Sequence, residues 1–148
     1  MSTTTPTTKA VTSTQQLVVF SLGDERYALP IAQIKEVIRY KTPRAVASHD
    51  PAVKGVISLR GVIVPVGDLA NRLGVSAHAS EDAKIIIIDT AGGTAGIIVD
   101  AVEEVLTIDD DQLDTTSIAS NELMNGIVKI DDRLIVLLDA ESLHTTDA

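Results

Sequence analysis

The residues whose type and spacing could support chemistry are few, and each is tested against what its chemistry requires. Asp89-Thr90-Ala91-Gly92 follows an apolar run and has the D-x-x-G form that places a metal-side carboxylate in nucleotide hydrolases. A triphosphate also needs a Gly-rich cradle of backbone N–H groups with Lys and Ser or Thr, and G-x-x-x-x-G-K-[ST] occurs nowhere in the chain. A Gly-Gly hairpin turn accounts for these residues more simply, and a small hydrolase built on Asp89 is the weaker alternative. Asp109-Asp110-Asp111 with Asp114 invites a calcium reading. An EF-hand loop requires Gly at its sixth and Glu at its twelfth position, where this chain has Asp114 and Ser120. His49, His78 and His144 are scattered, with no second ligand at helical or hairpin spacing. Ser58 lacks the G-x-S-x-G elbow of an activated nucleophile. The expectation is a protein with no catalytic residue, no metal and no cofactor.

What remains is interaction surface. Arg60 sits in the turn Leu59-Arg60-Gly61 of an acidic chain with net charge −9 and 12 basic residues. A planar guanidinium pairs with carboxylates or carbonyls through two parallel donors, which suits Arg to interface centres. An Arg in a hairpin turn is also ordinarily just solvated. The acidity of the chain repels phosphate backbones, so nucleic acid is not an expected partner.

The elements that must position such a residue come from a duplicated pattern. Residues 27–38 match residues 95–106, with apolar positions coinciding at Leu29/Ile97, Ile31/Val99, Ile34/Val102, Val37/Val105 and Ile38/Leu106, and an acid at Glu36/Glu104. Residues 55–68 match 126–139 in the same order, placing Arg60 opposite Asp131. Repetition of this kind outranks local propensity as a sign of architecture. Apolar residues make up 45% of the chain but aromatics 2%, so the core must be aliphatic.

Short β-rich runs joined by tight turns recur throughout. Leu17–Leu22 and Arg26–Leu29 flank Gly23-Asp24-Glu25. Val56–Leu59 and Val62–Val66 flank Arg60-Gly61. Ile85–Ile88 and Ala95–Val99 flank the Asp89 turn, and Gly126–Ile130 and Leu134–Leu138 close the series. Pro30 leads through one helical turn into a strand near Glu36–Tyr40. Asp68 has the place of an N-cap for Leu69–Leu73, with Gly74 as its C-terminal stop. Asp109–Leu123 reads as polar and irregular. Parallel α/β units need crossovers of a dozen or more residues, and neither short helix suffices. The pattern predicts an all-β fold of two antiparallel subdomains, about 18–75 and 84–143, within a domain spanning 16–144. The Thr-rich 1–15 segment reads as a disordered tail and 145–148 as a second one. No apolar run is long enough to span a membrane.

Lys54-Gly55-Val56-Ile57-Ser58-Leu59-Arg60-Gly61-Val62-Ile63-Val64-Pro65-Val66-Gly67-Asp68-Leu69 closely resembles the signature of the CheW chemotaxis coupling family. Phe20–Tyr27 resembles that family's opening hairpin, and Gly96–Asp100 with Val102 and Val105 its second-half strand pair. The likeness runs from about Gln16 to Leu143. Ser58 departs from the Asn common before Leu-Arg-Gly, and Ser still hydrogen-bonds in a turn. The resemblance implies two five-stranded SH3-like barrels packed around a shared core. It implies a non-enzymatic, cytoplasmic adaptor that joins the regulatory domain of the histidine kinase CheA to the cytoplasmic tip of methyl-accepting chemotaxis receptors, recruited to membrane-associated arrays without inserting into the bilayer. An adaptor for a different kinase pathway has the same sequence requirements. Matching the family pattern, a receptor helix would lie between the lobes against Ile34, Glu36, Val37, Leu59 and Arg60 on one wall and Val99 and Val102 on the other. Arg60 would pair with a receptor carboxylate or carbonyl, or bond back to Glu36; both roles stay open. The kinase contact would involve Ile38, Tyr40, Val53 and Gly55.

Overall fold

The computed structural model describes residues 14–45, 53–76, 81–115 and 123–143. His49, His78 and His144, the segment 1–13 and the residues 144–148 lie outside that description. Among the described residues, eleven strands and two short helices follow in chain order. The strands are β1 (Thr14–Leu22), β2 (Glu25–Pro30), β3 (Ile34–Arg39), β4 (Val53–Leu59), β5 (Val62–Gly67), β6 (Lys84–Thr90), β7 (Gly93–Val99), β8 (Ala101–Asp109), β9 (Leu113–Asp114), β10 (Met124–Ile130) and β11 (Arg133–Leu138). The helices are α1 (Leu69–Leu73) and α2 (Ala140–Leu143).

The strands form two sheets. Lobe A has the order β8-β1-β2-β11-β10-β9, and lobe B the order β3-β6-β7-β5-β4. The all-β reading with short helices therefore holds, with six strands in lobe A where five are expected. The lobes do not coincide with residues 18–75 and 84–143. Each repeat sends its first hairpin to the other: β1–β2 joins the C-terminal strands in lobe A, and β6–β7 joins β3–β5 in lobe B. Each exchanged hairpin docks along both its edges, antiparallel through β1 on β8 and β6 on β3, and parallel through β2 on β11 and β7 on β5. The physical reason is burial on both faces. Ile86 and Ile88 of β6 enter the core between the lobes, while Ile85 and Ile87 enter the interior of lobe B. In β1, Phe20 and Leu22 enter the same inter-lobe core, and Leu17 and Val19 the interior of lobe A. All eight side chains are 0–1% exposed. A hairpin apolar on both faces leaves no face for water, so it is stable only between two layers.

Local chemistry sets the remaining boundaries. Pro30 leads into a 3-10 turn at Ile31–Gln33, which feeds β3 directly. The Asp68 side chain accepts the Asn71 N–H at 3.1 Å, and Gly74 closes α1 at φ 74°. The Leu59-Arg60-Gly61-Val62 hairpin has positive φ at both central residues, 52° and 83°, the handedness that matches strand twist. Two expectations are corrected. β1 begins at Thr14, inside the segment read as tail, because Thr14 and Gln15 pair with Asp109 and Ile108 of β8. The stretch from Asp109 is partly regular: Asp109 and Gln112 form a capping box over a 3-10 turn, and Leu113–Asp114 pairs with β10. A two-residue strand takes its state from its partner, which propensity does not reveal.

Candidate functional site

The β4–β5 turn carries Arg60 to the edge of lobe B, where its guanidinium donates to the Glu36 carboxylate of β3. β3 and β4 are opposite edges of the sheet, so this ion pair spans the seam where lobe B curls on itself. Lys41 Nζ crosses the same seam to the Ser58 carbonyl at 3.1 Å. The Arg60 side chain is 67% exposed and that of Glu36 25%. A pair this wet contributes little to stability, and its guanidinium keeps donors facing solvent. Beside it lies a depression of about 120 Å³ lined by Lys35, Glu36, Leu59, Arg60, Val62, Val64 and Thr94.

Val37 follows Glu36 in β3 and points to the opposite face, the one that looks toward lobe A. It pairs with Ile86 across the β3–β6 ladder, and paired residues of an antiparallel ladder share a face. Ile86 belongs to the inter-lobe core, and Val37 is 39% exposed at its rim. Ile34 is half-buried against the same core, as is Val102 of β8. Val99 is 0% exposed within it, so it backs the wall and presents no surface. Leu59 is half-buried against the interior of lobe B. The structure thus gathers Glu36, Leu59 and Arg60 around one depression and sets Ile34, Val37 and Val102 along the inter-lobe core.

The residues singled out for kinase contact are more dispersed. Tyr40 is 43% exposed at the end of β3. Ile38 turns into lobe B beside Ile85. Gly55 is buried, and a Cβ there would meet the Arg44 carbonyl oxygen at 2.1 Å, so its smallness serves the bridge between Arg44 and Val56. Val53 is the first residue of β4, and its side chain lies outside the described residues.

One pair escapes the sequence argument. Arg133 Nη1 donates to Glu104 Oε2 at 2.7 Å in lobe A, the repeat counterpart of Arg60 and Glu36. The match of Glu36 with Glu104 was the available signal. The Arg comes from two residues beyond Asp131, which itself shares the left-handed conformation of Arg60 at φ 53°. The hydrogen bond to Glu104, followed by the charge of Glu104, raises the Arg133 pKa above its ordinary value.

The Asp89 turn is a structural hairpin. Thr90 Oγ1 donates to the Gly93 carbonyl at 3.0 Å and accepts the Gly92 N–H at 3.2 Å, while the Glu141 carboxylate accepts the Ala91 N–H at 3.0 Å. The Ala91 and Gly92 N–H groups are thereby occupied within the protein. Among the described residues no group of three or more His, Asp or Glu converges as metal ligands.

A two-lobed β scaffold whose conspicuous groups are exposed ion pairs and apolar rim residues defines a binding protein. The chain belongs to the CheW-like domain family, whose profile matches residues 16–147, and is a chemotaxis adaptor. It is 36% identical over 137 residues to a probable chemotaxis protein CheW of Rhizobium etli, covering 88% of each chain. It is 34% identical over 130 residues to the chemotaxis protein CheW of Thermotoga maritima, covering 86% of each. The crystal structure of the scaffolding protein TtCheW from Thermoanaerobacter tengcongensis matches at a TM-score of 0.79 and 35% identity, over 86% of this chain and 90% of that one.

Proposed function

We propose that this adaptor joins the regulatory domain of the histidine kinase CheA to the cytoplasmic helical tip of methyl-accepting receptors. The receptor helix lays an apolar stripe along Ile34, Val37 and Val102, where the inter-lobe core reaches the surface. Arg60 fixes its register. The observation that carries this reading is that one strand, β3, orients an exposed guanidinium through Glu36 and, at the next residue, sets an exposed valine on its other face at the rim of the core. Glu36 holds one edge of the guanidinium and leaves the others to a partner carboxylate or carbonyl, so the two roles open for Arg60 are compatible. The kinase domain docks on the lobe B end that carries Tyr40. Both contacts are reversible, and linkage of many copies in an array supplies avidity. The adaptor works in the cytoplasm and reaches the membrane through its receptor. No described helix is long and apolar enough to cross a bilayer.

Pull-down with a receptor-tip fragment tests this. Arg60→Ala is expected to lower binding about tenfold, the ~1.4 kcal/mol of a moderate interface contact, with an unchanged far-UV spectrum. Undiminished binding by the folded variant overturns the assignment.

A further inference from the structure

The duplicated fold builds the rim of lobe B a second time on lobe A. β3 and β8 each carry a bulge at equivalent residues, Lys35 and Glu103. Each then presents a valine toward the opposite lobe: Val37, paired with Ile86, and Val105, paired with Val18. Val105 is 53% exposed, more than Val37. Shape and hydrophobicity alone therefore offer a helical partner two places.

The charges around the two valines differ. Two residues beyond Val37, Arg39 lies directly opposite Lys84 on the same face. Two residues beyond Val105, Thr107 lies opposite Gln16. Like charges facing each other across a ladder destabilise the sheet, and neither Arg39 nor Lys35 has an ion-pair partner among the described residues. The Lys84 ammonium reaches the Asp82 carbonyl at 3.1 Å. Lobe A has relieved the same position with a neutral pair, which borders an open cleft of about 530 Å³ lined by uncharged residues, Gln16, Ile31 and Thr107 among them. Its bulge residue Glu103 is acidic and pairs with Arg26 at 3.6 Å. Beyond it, Asp109, Asp110 and Asp111 continue the negative surface, whereas Lys41 and Arg44 continue the positive one past β3.

We propose that charge selects between these two quasi-equivalent faces. Lys35, Arg39 and Lys84 around Val37 admit a helix whose apolar stripe is flanked by Asp or Glu, and Glu103 with the neighbouring aspartates turns that helix away from Val105. This rests on the helix-docking reading above and adds the partner's charge. The facing cations Arg39 and Lys84 are a local cost of that selectivity, a repulsive element of the kind specificity requires. Attraction across such a face acts mainly on the rate of encounter and weakens with salt.

The test uses the full chain and a synthetic antiparallel helical hairpin with a Leu/Val stripe flanked by Glu, together with a twin flanked by Lys. The intact protein is expected to bind the Glu-flanked hairpin at least tenfold faster than its twin at ~50 mM salt, the difference collapsing at ~500 mM. Arg39→Thr combined with Lys84→Gln, which copies the lobe A pair, is expected to lose most of that preference while its unfolding midpoint stays level or rises. Val37→Asp serves as the second arm. If Val37→Asp abolishes binding and the neutral-pair variant behaves as the intact protein at every salt concentration, charge selection is wrong and the docking face stands. If neither variant changes binding, the docking face itself is wrong and the proposal goes with it.

Discussion

The Glu36–Arg60 edge of lobe B and the Glu104–Arg133 edge of lobe A are two versions of one design. Both join a strand at the sheet edge to a hairpin through an exposed ion pair. In lobe B the Arg occupies the turn itself, in a left-handed conformation that a side chain adopts at some cost. In lobe A an Asp occupies that position and the Arg sits on the regular strand after it. The side chains are 67% exposed for Arg60 and 47% for Arg133. Both lobes thus close this edge with an ion pair, but only lobe B draws its Arg from the turn, where the guanidinium reaches further into solvent.

The glycines beneath these edges provide the most severe way to test how far the equivalence goes. Gly55→Ala forces a Cβ against a backbone oxygen at 2.1 Å, whereas Gly126→Ala meets first the flexible Leu113 side chain at 2.7 Å. Gly55→Ala is expected to cost about 3 kcal/mol or more and Gly126→Ala about half that. Chemical denaturation measures both, and equal losses would show that the two crossings are alike after all. Truncating the shared core should erase the distinction between lobes. Ile86→Ala, at the inter-lobe core, is expected to cost about 2–5 kcal/mol and to leave a single cooperative unfolding transition, since each lobe contains a hairpin from the other repeat. Two separated transitions would mean that the lobes fold independently.

Charge reversal at the ion pairs separates function from stability. Glu36→Lys should weaken receptor-tip binding about tenfold, because it sets two cations side by side and displaces Arg60. Glu104→Lys should leave that binding within twofold, and each should change stability by no more than about 1 kcal/mol. Equal binding losses from both would place the receptor on lobe A as well. The smallest effect concerns alkaline pH. Burial, and then the charge of Glu25, raises the Tyr27 pKa above its usual 10.0. The unfolded chain therefore ionises first, so this contribution to stability is complete below the unfolded pKa and is lost as pH rises through the folded one. Tyr27→Phe should show a shallower fall in melting temperature above pH 10 than the unaltered protein, with coincident profiles near pH 7.

Much of this molecule was legible along the chain. The hairpins at Gly23, Arg60 and Asp131, the Asp68 cap and the Gly74 stop follow from residues within four positions of one another. The Arg60 neighbourhood was legible through its signature, and Leu59 and Glu36 do meet there. Val99 and Gly55 were not legible as interior residues. Val99 alternates like any strand residue, and the layer that covers it comes from the other repeat. Arg133 went unseen because repeat alignment compares like positions, and the second lobe meets the same need from two residues away.

The amino-acid order alone determined the main hairpins, their turns and the duplication, because these depend on alternation, handedness and caps within a few bonds. It did not determine which hairpin completes which sheet. Two matched repeats present nearly the same apolar edges to their own hairpin and to each other's, so pairing within or between them satisfies the local pattern equally. Only the assembled tertiary structure chose exchange, since β1 and β6 carry apolar residues on both faces and find two dry layers nowhere but between the lobes.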